Sequence, residues 1–243
     1  MNPNDDREYK NVPELHTIIS QKPCQTEPQD EGAASFSGKL NHMNSRYYVF
    51  NDYYNMESDD TLHILTHFKT YQQTTEYTCG AASALMVLNW FGKIQYHERV
   101  IDQLVEGHHT KGTPVEHIAD FFDLIGWNVE FHADVVRKFD SPKEFEAYVI
   151  DRIDRGIPIM VNWVDWAGHW QVIIGIDTCG TDTPYDDVLI FADSYDITDH
   201  FQDGYYIFPL GRFFGMWLEG PCAGKTEPYQ QSFVTAWPKD TSK

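Results

Sequence analysis

The chain has 243 residues, of which 42% are hydrophobic and 15% are aromatic, so it has enough apolar material for a sizeable folded core. Its 37 acidic residues outnumber its 18 basic residues, and the formal charge is -19. A field of this sign repels phosphate backbones and anionic lipids, which argues against nucleic acid or a membrane surface as a partner.

Targeting and redox signals are weak along the whole chain. The first residues, MNPNDDREYKN, lack the basic start and the apolar run of a secretory signal. No stretch approaches the 18 consecutive apolar residues that predict a membrane-spanning helix. The cysteines form no CxxC pair, so we expect no Cys-rich zinc site and a reducing, cytoplasmic setting. These cysteines are Cys24, Cys79, Cys179 and Cys222.

The N-terminal segment differs in composition from the rest of the chain. Residues 1–40 are polar, with scattered Pro, Gly and acidic residues, which predicts a loosely ordered arm with a short helix near Val12–Ile19. Residues 41–243 are predicted to form a single domain. This domain begins with aromatic and β-branched runs that predict strands at Tyr47–Phe50 and Leu62–Phe68.

The middle of the chain has the periodicity and the end signals of helices. Apolar residues recur on successive turns before Gly92, which predicts a first long helix. Two Ser/Thr-Pro-x-Glu sequences predict capping boxes, with Pro at the first helical position, at Thr113 and Ser141. The predicted helices are Ala81–Phe91, His97–Val105, the helix that follows Thr113 and runs through Ile125, and the helix that follows Ser141 and runs to about Arg155.

The C-terminal half consists mainly of short apolar runs separated by turn residues, which predicts strands. Helices that precede an antiparallel sheet indicate the α+β class, with a helical N-terminal half packed on a C-terminal antiparallel sheet. The predicted strands are Pro158–Val164, Trp170–Asp177, Val188–Ala192 and Tyr205–Phe208, and a short helix is predicted at Leu210–Trp217.

Cys79 stands at the start of the first long helix, in QQTTEYTCGAASALMVLNWFG. A helix N-terminus favours a thiolate because the helix dipole and the free amides stabilise the anion. Gly80 permits close approach of substrate or backbone. Gln73 lies six residues upstream, where its amide and the Cys79 backbone amide could hold an oxyanion. Taken alone, Cys-Gly at a helix start more often indicates a small apolar residue of a buried helix than a nucleophile.

A cysteine nucleophile also needs an imidazole base, and the chain has eleven histidines. His169 is distinctive among them because it begins the apolar strand of WAGHWQVIIGID. If Asp177 opposes Tyr185 in a simple hairpin, Asp193 falls opposite His169, within reach of a carboxylate–imidazole hydrogen bond. The register is an assumption, and a one-residue slip would break it. The alternative orienting carboxylates are Asp196 and the weaker candidate Asp165.

Three motifs together resemble the papain-like family of double-glycine (bacteriocin-processing) leader peptidases and its stand-alone relatives. They are QTTEYTCGAASALMVLNWFG, GHWQVIIGID and FADSYD, within about residues 60–220. The resemblance implies a papain-like cysteine peptidase that needs no metal or organic cofactor and acts on a peptide or protein. It implies Cys79 as nucleophile, His169 as base, Asp193 as the group that orients the imidazole, and Gln73 as oxyanion donor.

Two positions depart from the pattern of that family. Thr78 stands before the cysteine where members often have Asp, and Ser194 follows the orienting Asp where members often have Pro. These departures favour a stand-alone peptidase, or a relative acting on another amide, over double-glycine leader specificity. The alternatives are an amidase or transpeptidase of the same fold and a non-catalytic peptide-binding module.

Three other groups of residues have competing interpretations. The histidines of HHTKGTPVEH lack an evident further metal ligand, so a solvated loop is favoured over a metal site. The acidic loop DSYDITDHFQDG lacks EF-hand spacing, so solvated carboxylates are favoured over calcium. Tryptophans near His169 are compatible with a substrate cleft or with sheet packing. The residues are His108, His109 and His117, and Trp163, Trp166 and Trp170.

Overall fold

A computed structural model describes residues 51–107, 112–164, 168–198, 201–218 and 228–239. These residues belong to one compact unit of the chain, which begins at Leu40. The predicted arm, its short helix and the predicted strand Tyr47–Phe50 lie outside the described residues.

Seven strands are present in the described part of the chain, and every pairing between them is antiparallel. They are β1 (Leu62–Ile64), β2 (Asn128–His132), β3 (Ile159–Val164), β4 (Gly168–Asp177), β5 (Val188–Ala192), β6 (Tyr205–Pro209) and β7 (Phe233–Trp237). The order in the sheet is β2-β7-β3-β4-β5-β6, and β1 pairs with β4.

Five helices accompany this sheet within the described ranges. They are α1 (Cys79–Trp90), α2 (Glu98–Leu104), α3 (Val115–Leu124), α4 (Pro142–Asp154) and α5 (Leu210–Met216). The predicted α+β class is confirmed. The separation into a helical half and a sheet half is less strict than predicted, because β1 and β2 come from the N-terminal half and join the same sheet.

Strand β4 is the centre of the sheet, with β3, β5 and β1 as its neighbours. From His169 to Asp177 every residue of β4 is buried. A run of this kind, rather than an alternating pattern, is typical of a strand covered on both faces. Helices α1 and α4 both pack against β4.

Helix α1 is buried along nearly its whole length, from Cys79 to Leu88. The predicted apolar positions Leu85 and Leu88 are in the core. The helix starts two residues before the predicted start, so Cys79 is its first residue. It ends at Trp90, and Gly92 then takes a positive φ of 76°, which suits the predicted stop.

The two predicted capping boxes have different outcomes. At α4, Ser141 is the N-cap, Pro142 is the first helical residue, and the Glu144 backbone N–H donates to Ser141 Oγ at 3.2 Å. At α3 the prediction is wrong, because Pro114 itself takes the N-cap position and no side chain caps the helix. Thr113 therefore lies one residue before the cap, and its carbonyl accepts a hydrogen bond from Trp170 Nε1 at 2.8 Å.

Sequence analysis missed strands β2 and β7, which pair with each other from Asn128↔Trp237 to His132↔Phe233. It also made the strand at Leu62–Phe68 too long. The observed strand ends at Ile64, and His67 has a positive φ of 65°, which is incompatible with a continued strand. No helix in the described residues is long and apolar enough to cross a membrane.

Candidate active site

Cys79 is the first residue of α1 and is 5% exposed. The side chain of the N-cap residue, Thr78, makes no hydrogen bond to the amides of the helix. Its Oγ1 instead lies 3.0 Å from Thr75 Oγ1, so it organises the loop that leads into the helix. The first N–H groups of a helix have no intrahelical acceptor, and they favour negative charge at the Cys79 end of α1.

His169 and Asp193 are hydrogen bonded to each other, with 2.6 Å between Nε2 and Oδ1. Both side chains are buried, at 4% and 3% exposed. The backbone N–H of Tyr195 also donates to Asp193 Oδ1, at 3.0 Å. The carboxylate is therefore held by a ring nitrogen and by backbone, and it fixes the orientation of the imidazole.

The hairpin register from which this contact was predicted is wrong. Asp177 opposes Val188 rather than Tyr185, the register shifts between Ile173 and Gly175, and the last pair toward the site is Val172↔Ala192. At this end of the hairpin the observed register differs from the predicted one by two residues. Because side chains alternate with a period of two, an even shift leaves His169 and Asp193 on the same face, in a diagonal relation.

Cys79 is the second group, after Asp193, whose side chain interacts with that of His169. Because Asp193 takes Nε2, Nδ1 is the ring nitrogen left for the sulfur. Burial lowers the pKa of His169, but the hydrogen bonds and negative charges of Asp193 and Cys79 outweigh burial and raise the pKa from 6.5 to about 10. The site therefore favours a protonated imidazole beside the Asp193 carboxylate at neutral pH.

Asp193 has a lowered pKa although it is buried. Burial alone would raise the pKa of a carboxyl, but the hydrogen bond and charge of His169 lower it, and backbone N–H groups of Tyr195 and Asp196 add to this effect. The carboxylate thus stays ionised where it supports the imidazole. Asp196, the alternative orienting group, uses Oδ2 to accept the Gly204 N–H at 2.7 Å.

Gln73 is tied to the segment that follows Asp193. Its Oε1 accepts a hydrogen bond from Ser194 Oγ at 2.8 Å, and its backbone N–H donates to the Ser194 carbonyl at 2.9 Å. Its Nε2 donates to the Thr75 carbonyl at 2.7 Å. Ser194 therefore connects Gln73, the predicted oxyanion donor, by hydrogen bonds to the segment that carries Asp193, the predicted orienting carboxylate.

A buried carboxylate anchors the other side of the loop that precedes α1 and contains Gln73 (residues 71–78, the Gln73 loop). Glu98, at the start of α2, accepts hydrogen bonds from Tyr71 Oη at 3.0 Å and from the Thr74 backbone N–H at 2.9 Å. Sequence analysis assigned no role to Glu98, and it noted Ser194 only as a departure from a family pattern. A glutamate in the first turn of a helix has an ordinary local explanation, so no signal in the sequence pointed to this loop.

Gly80 is required by packing within the protein. A Cβ atom at this position would lie 2.9 Å from Thr113 Cβ and 3.2 Å from Trp170 Cδ1. The close approach expected at Gly80 is therefore made by neighbouring side chains. The contact brings the start of α1 against β4 beside His169 and so helps to place the sulfur.

A cavity of about 260 Å³ lies beside the Gln73 loop. Tyr195 Oη donates to Glu76 Oε2 at 2.6 Å and so links two of the residues that line it. Neither Cys79 nor His169 is among the lining residues, which are Gln72, Gln73, Thr74, Thr75, Glu76, Ser194, Tyr195, Ile197 and Gln202.

The other candidate residues are not brought to this site. Trp163 and Trp170 are buried in the core, which supports sheet packing as their role. His117 has Nδ1 2.9 Å from the Val105 carbonyl oxygen. In the ranges that the structure describes, no three His, Cys, Asp or Glu residues form a group that could hold a metal ion. Four candidates lie outside those ranges, namely His108, His109, Asp165 and Trp166.

A comparison with protein families matches residues 65–219 to the Peptidase_C39 like family. The match spans more than half of the chain and falls within the region of the three sequence motifs. The predicted resemblance is confirmed.

The solved structures that match this chain include two peptidase domains. The peptidase domain of Streptococcus ComA, a bi-functional ABC transporter involved in a quorum sensing pathway, is 17% identical, with a TM-score of 0.47, and the match covers 71% of this chain and 100% of that chain. For the peptidase domain of Streptococcus mutans ComA the values are 12%, 0.38, 70% and 100%. A comparison with curated proteins gives no match.

Proposed function

We propose that this chain, which belongs to the Peptidase_C39-like family, is a cysteine peptidase that hydrolyses peptide bonds. The observation that supports the proposal most directly is the buried group formed by Cys79, His169 and Asp193, in which His169 is hydrogen bonded to Asp193 and its pKa is raised by both Asp193 and Cys79. A thiol at a helix start, an imidazole beside it and a carboxylate behind the imidazole are the parts that nucleophilic acyl transfer requires.

In the acylation step, the Cys79 thiolate attacks the carbonyl carbon of the scissile peptide bond. The carbonyl oxygen becomes an oxyanion, which accepts hydrogen bonds from Gln73 Nε2 and from the Cys79 backbone N–H. The His169 imidazolium then gives its proton to the leaving nitrogen, the C–N bond breaks, and the amine departs. The acyl group remains on sulfur as a thioester.

In the deacylation step, the neutral His169 takes a proton from a water molecule, which attacks the thioester carbonyl carbon. The second oxyanion collapses, the C–S bond breaks, and the thiolate and imidazolium are restored together with a carboxylate product. Throughout the cycle Asp193 keeps the imidazole ring in one orientation and stabilises its protonated form.

The alternative of a non-catalytic binding module requires a thiol remote from any base. The interaction between the Cys79 and His169 side chains supports a peptidase over that alternative. A transpeptidase would share the acylation step and differ only in the acceptor. Adding amine acceptors to the reaction distinguishes the two, because a transpeptidase makes a new amide and a hydrolase releases a carboxylate.

The proposal is tested by cleavage of a peptide library, followed by mass spectrometry of the products. We expect Cys79→Ala to lower the cleavage rate on the order of 10⁴-fold or more, since it removes the nucleophile. The matched control is Cys179→Ala, which removes the exposed thiol of the β4–β5 loop and should cleave like the wild type. Cleavage that survives Cys79→Ala would contradict the proposal.

A further inference from the structure

We propose that Ser194 is a positioning residue, whose hydroxyl holds the side-chain amide of Gln73 in the one orientation that presents an N–H group to the oxyanion. The inference rests on the proposed function, because it assumes that an oxyanion forms at Cys79. It goes beyond that function by assigning a role in the reaction to a side chain that touches neither the nucleophile nor the base in the hydrogen-bond network of the site.

A side-chain amide has two orientations that differ by a half turn and exchange oxygen and nitrogen. Only the nitrogen end can donate to an oxyanion. The Thr75 carbonyl can only accept, and it lies 2.7 Å from Gln73 Nε2, so it excludes the orientation that would place Oε1 there. Ser194 Oγ lies 2.8 Å from Gln73 Oε1 and donates to it. The Thr75 carbonyl thus selects the orientation, and the Ser194 hydroxyl holds the Oε1 end of the amide in place.

This orientation leaves one amide hydrogen for the reaction. Nε2 carries two hydrogens, and the Thr75 carbonyl takes one of them. Without the Ser194 hydroxyl, Oε1 loses the partner that the structure shows, and the amide is held at one end only. An amide held in this way rotates away from its productive geometry, and catalysis that depends on aligned donors is then slower.

The backbone around the contact is held independently of the Ser194 side chain. The Gln73 N–H donates to the Ser194 carbonyl, and Glu98 accepts the Thr74 N–H. Thr78 bonds to Thr75 and so holds the carbonyl that Gln73 uses. Removal of the hydroxyl alone should therefore leave the loop in place and change only the freedom of the amide.

Two reactions of Cys79 separate positioning of the amide from general damage to the site. p-Nitrophenyl acetate acylates the thiolate through a tetrahedral oxyanion and releases p-nitrophenolate. Iodoacetamide alkylates the thiolate by displacement of iodide at a saturated carbon, and no oxyanion forms. A residue that positions an oxyanion donor affects the first rate and spares the second, whereas a change in the Cys79–His169 pair affects both.

We expect Ser194→Ala to slow Cys79 acylation by p-nitrophenyl acetate roughly tenfold, the effect of one lost hydrogen bond, with the iodoacetamide rate within about twofold of wild type. Ser194→Thr keeps the hydroxyl and should restore acylation. Gln73→Ala should slow acylation about 10²-fold, and adding Ser194→Ala to it should have no further effect. Ser58→Ala is the matched control. It also removes a hydrogen-bonded serine hydroxyl, but this one accepts the backbone N–H of Ile64 and does not contact Gln73.

Three outcomes overturn the inference. They are equal slowing of both reactions by Ser194→Ala, an unchanged acylation rate in Ser194→Ala, and additive effects of Ser194→Ala and Gln73→Ala. Failure of the proposed function has a different signature, since the wild type would then cleave no peptide in the library in a Cys79-dependent way.

Discussion

The β4–β5 hairpin buries a carboxylate near each of its ends, and the two have opposite electrostatic settings. Near the open end, Asp193 faces the ring of His169, and its pKa is lowered. Near the turn, the pKa of Asp187 is raised to about 7, first by burial and then by the charges of Glu146 and Asp186, which Lys143 offsets only in part. Among the described residues, Asp187 Oδ2 and Glu146 Oε2 have no hydrogen-bond partner.

The comparison shows that burial alone does not decide the charge of a carboxyl group. Asp193 and Asp187 are both almost fully buried. The first is stabilised as an anion because His169 and backbone N–H groups outweigh the effect of burial. The second is destabilised because burial disfavours its charge and its neighbours, which are mainly acidic, add to that effect. One end of the hairpin therefore stabilises a buried carboxylate, while the other end costs stability at neutral pH.

The signs of these shifts assign a different pH window to each group. Asp187 has a folded pKa above its ordinary 3.8, so the folded protein loses stability as pH rises from about 4 to about 7. His169 has a folded pKa of about 10, so its contribution is complete below 6.5 and is lost as pH rises through 10. Asp193 contributes above 3.8, and that part is lost as pH falls through its lowered pKa.

The largest effect is expected for a variant that removes the carboxylate beside His169. Asp193→Asn removes the negative charge behind the imidazole, so the pKa of His169 should fall from about 10. Loss of the oriented, protonated imidazole should lower peptide cleavage by about 10²- to 10⁴-fold. The pKa is measured by NMR titration of the His169 ring protons, and the cleavage rate is measured with the same sample.

The matched control for this variant is Asp187→Asn, the same chemical change near the other end of the hairpin. It should leave the pKa of His169 and the cleavage rate unchanged, because Asp187 is not among the groups that shift His169. If both variants lowered the pKa of His169 equally, the difference between the two ends would be refuted.

A stability effect of the opposite sign is expected near the turn. Asp187→Asn removes a buried charge that is unfavourable at neutral pH, so it should raise the thermal midpoint at pH 8 by a few degrees, about 2–4 °C for each kcal/mol. At pH 4 the carboxyl of the wild type is already neutral, so the gain should disappear. Thermal unfolding at the two pH values measures this, and an equal gain at both would show that charge is not the cause.

The start of α1 and the face of the hairpin could be predicted because short-range rules govern them. Cys79 begins its helix within two residues of the prediction, since apolar periodicity marks a buried helix. The contact between His169 and Asp193 is present although the register was wrong, because the error was an even number of residues. Strand periodicity specifies the face of a residue more reliably than its partner.

The rest of the site depends on partners distant in sequence. Ser194 meets Gln73 across 121 residues, and Glu98 meets Thr74 across 24. Nothing local in either sequence indicates these contacts. Strands β2 and β7 were missed for the same reason, since each becomes a strand by pairing with the other. Local signals predicted the chemical groups, whereas the network that holds them required the structure.

The smallest effect is expected at Lys143, whose charge partly offsets the acidic residues Glu146 and Asp186 around Asp187. Lys143 Nζ lies 2.7 Å from Glu146 Oε1, and the lysine side chain is largely exposed. Exposed ion pairs contribute about 0–1 kcal/mol, so Lys143→Met should lower the thermal midpoint at pH 8 only slightly. The loss should shrink at pH 4 and in the Asp187→Asn background, because the charge that Lys143 offsets is then absent.

Arg155→Met is the matched control on the same helical segment. Arg155 pairs with Asp151 at 3.2 Å, both side chains are about half exposed, and neither residue is among the groups that shift Asp187. Its effect on the thermal midpoint should therefore be the same with and without Asp187→Asn. A Lys143→Met effect that is equally independent of Asp187 would mean that Lys143 acts only through its ion pair with Glu146. In that case Lys143 would not offset the charge of Asp187 at the turn of the hairpin, and it would behave like any other surface lysine.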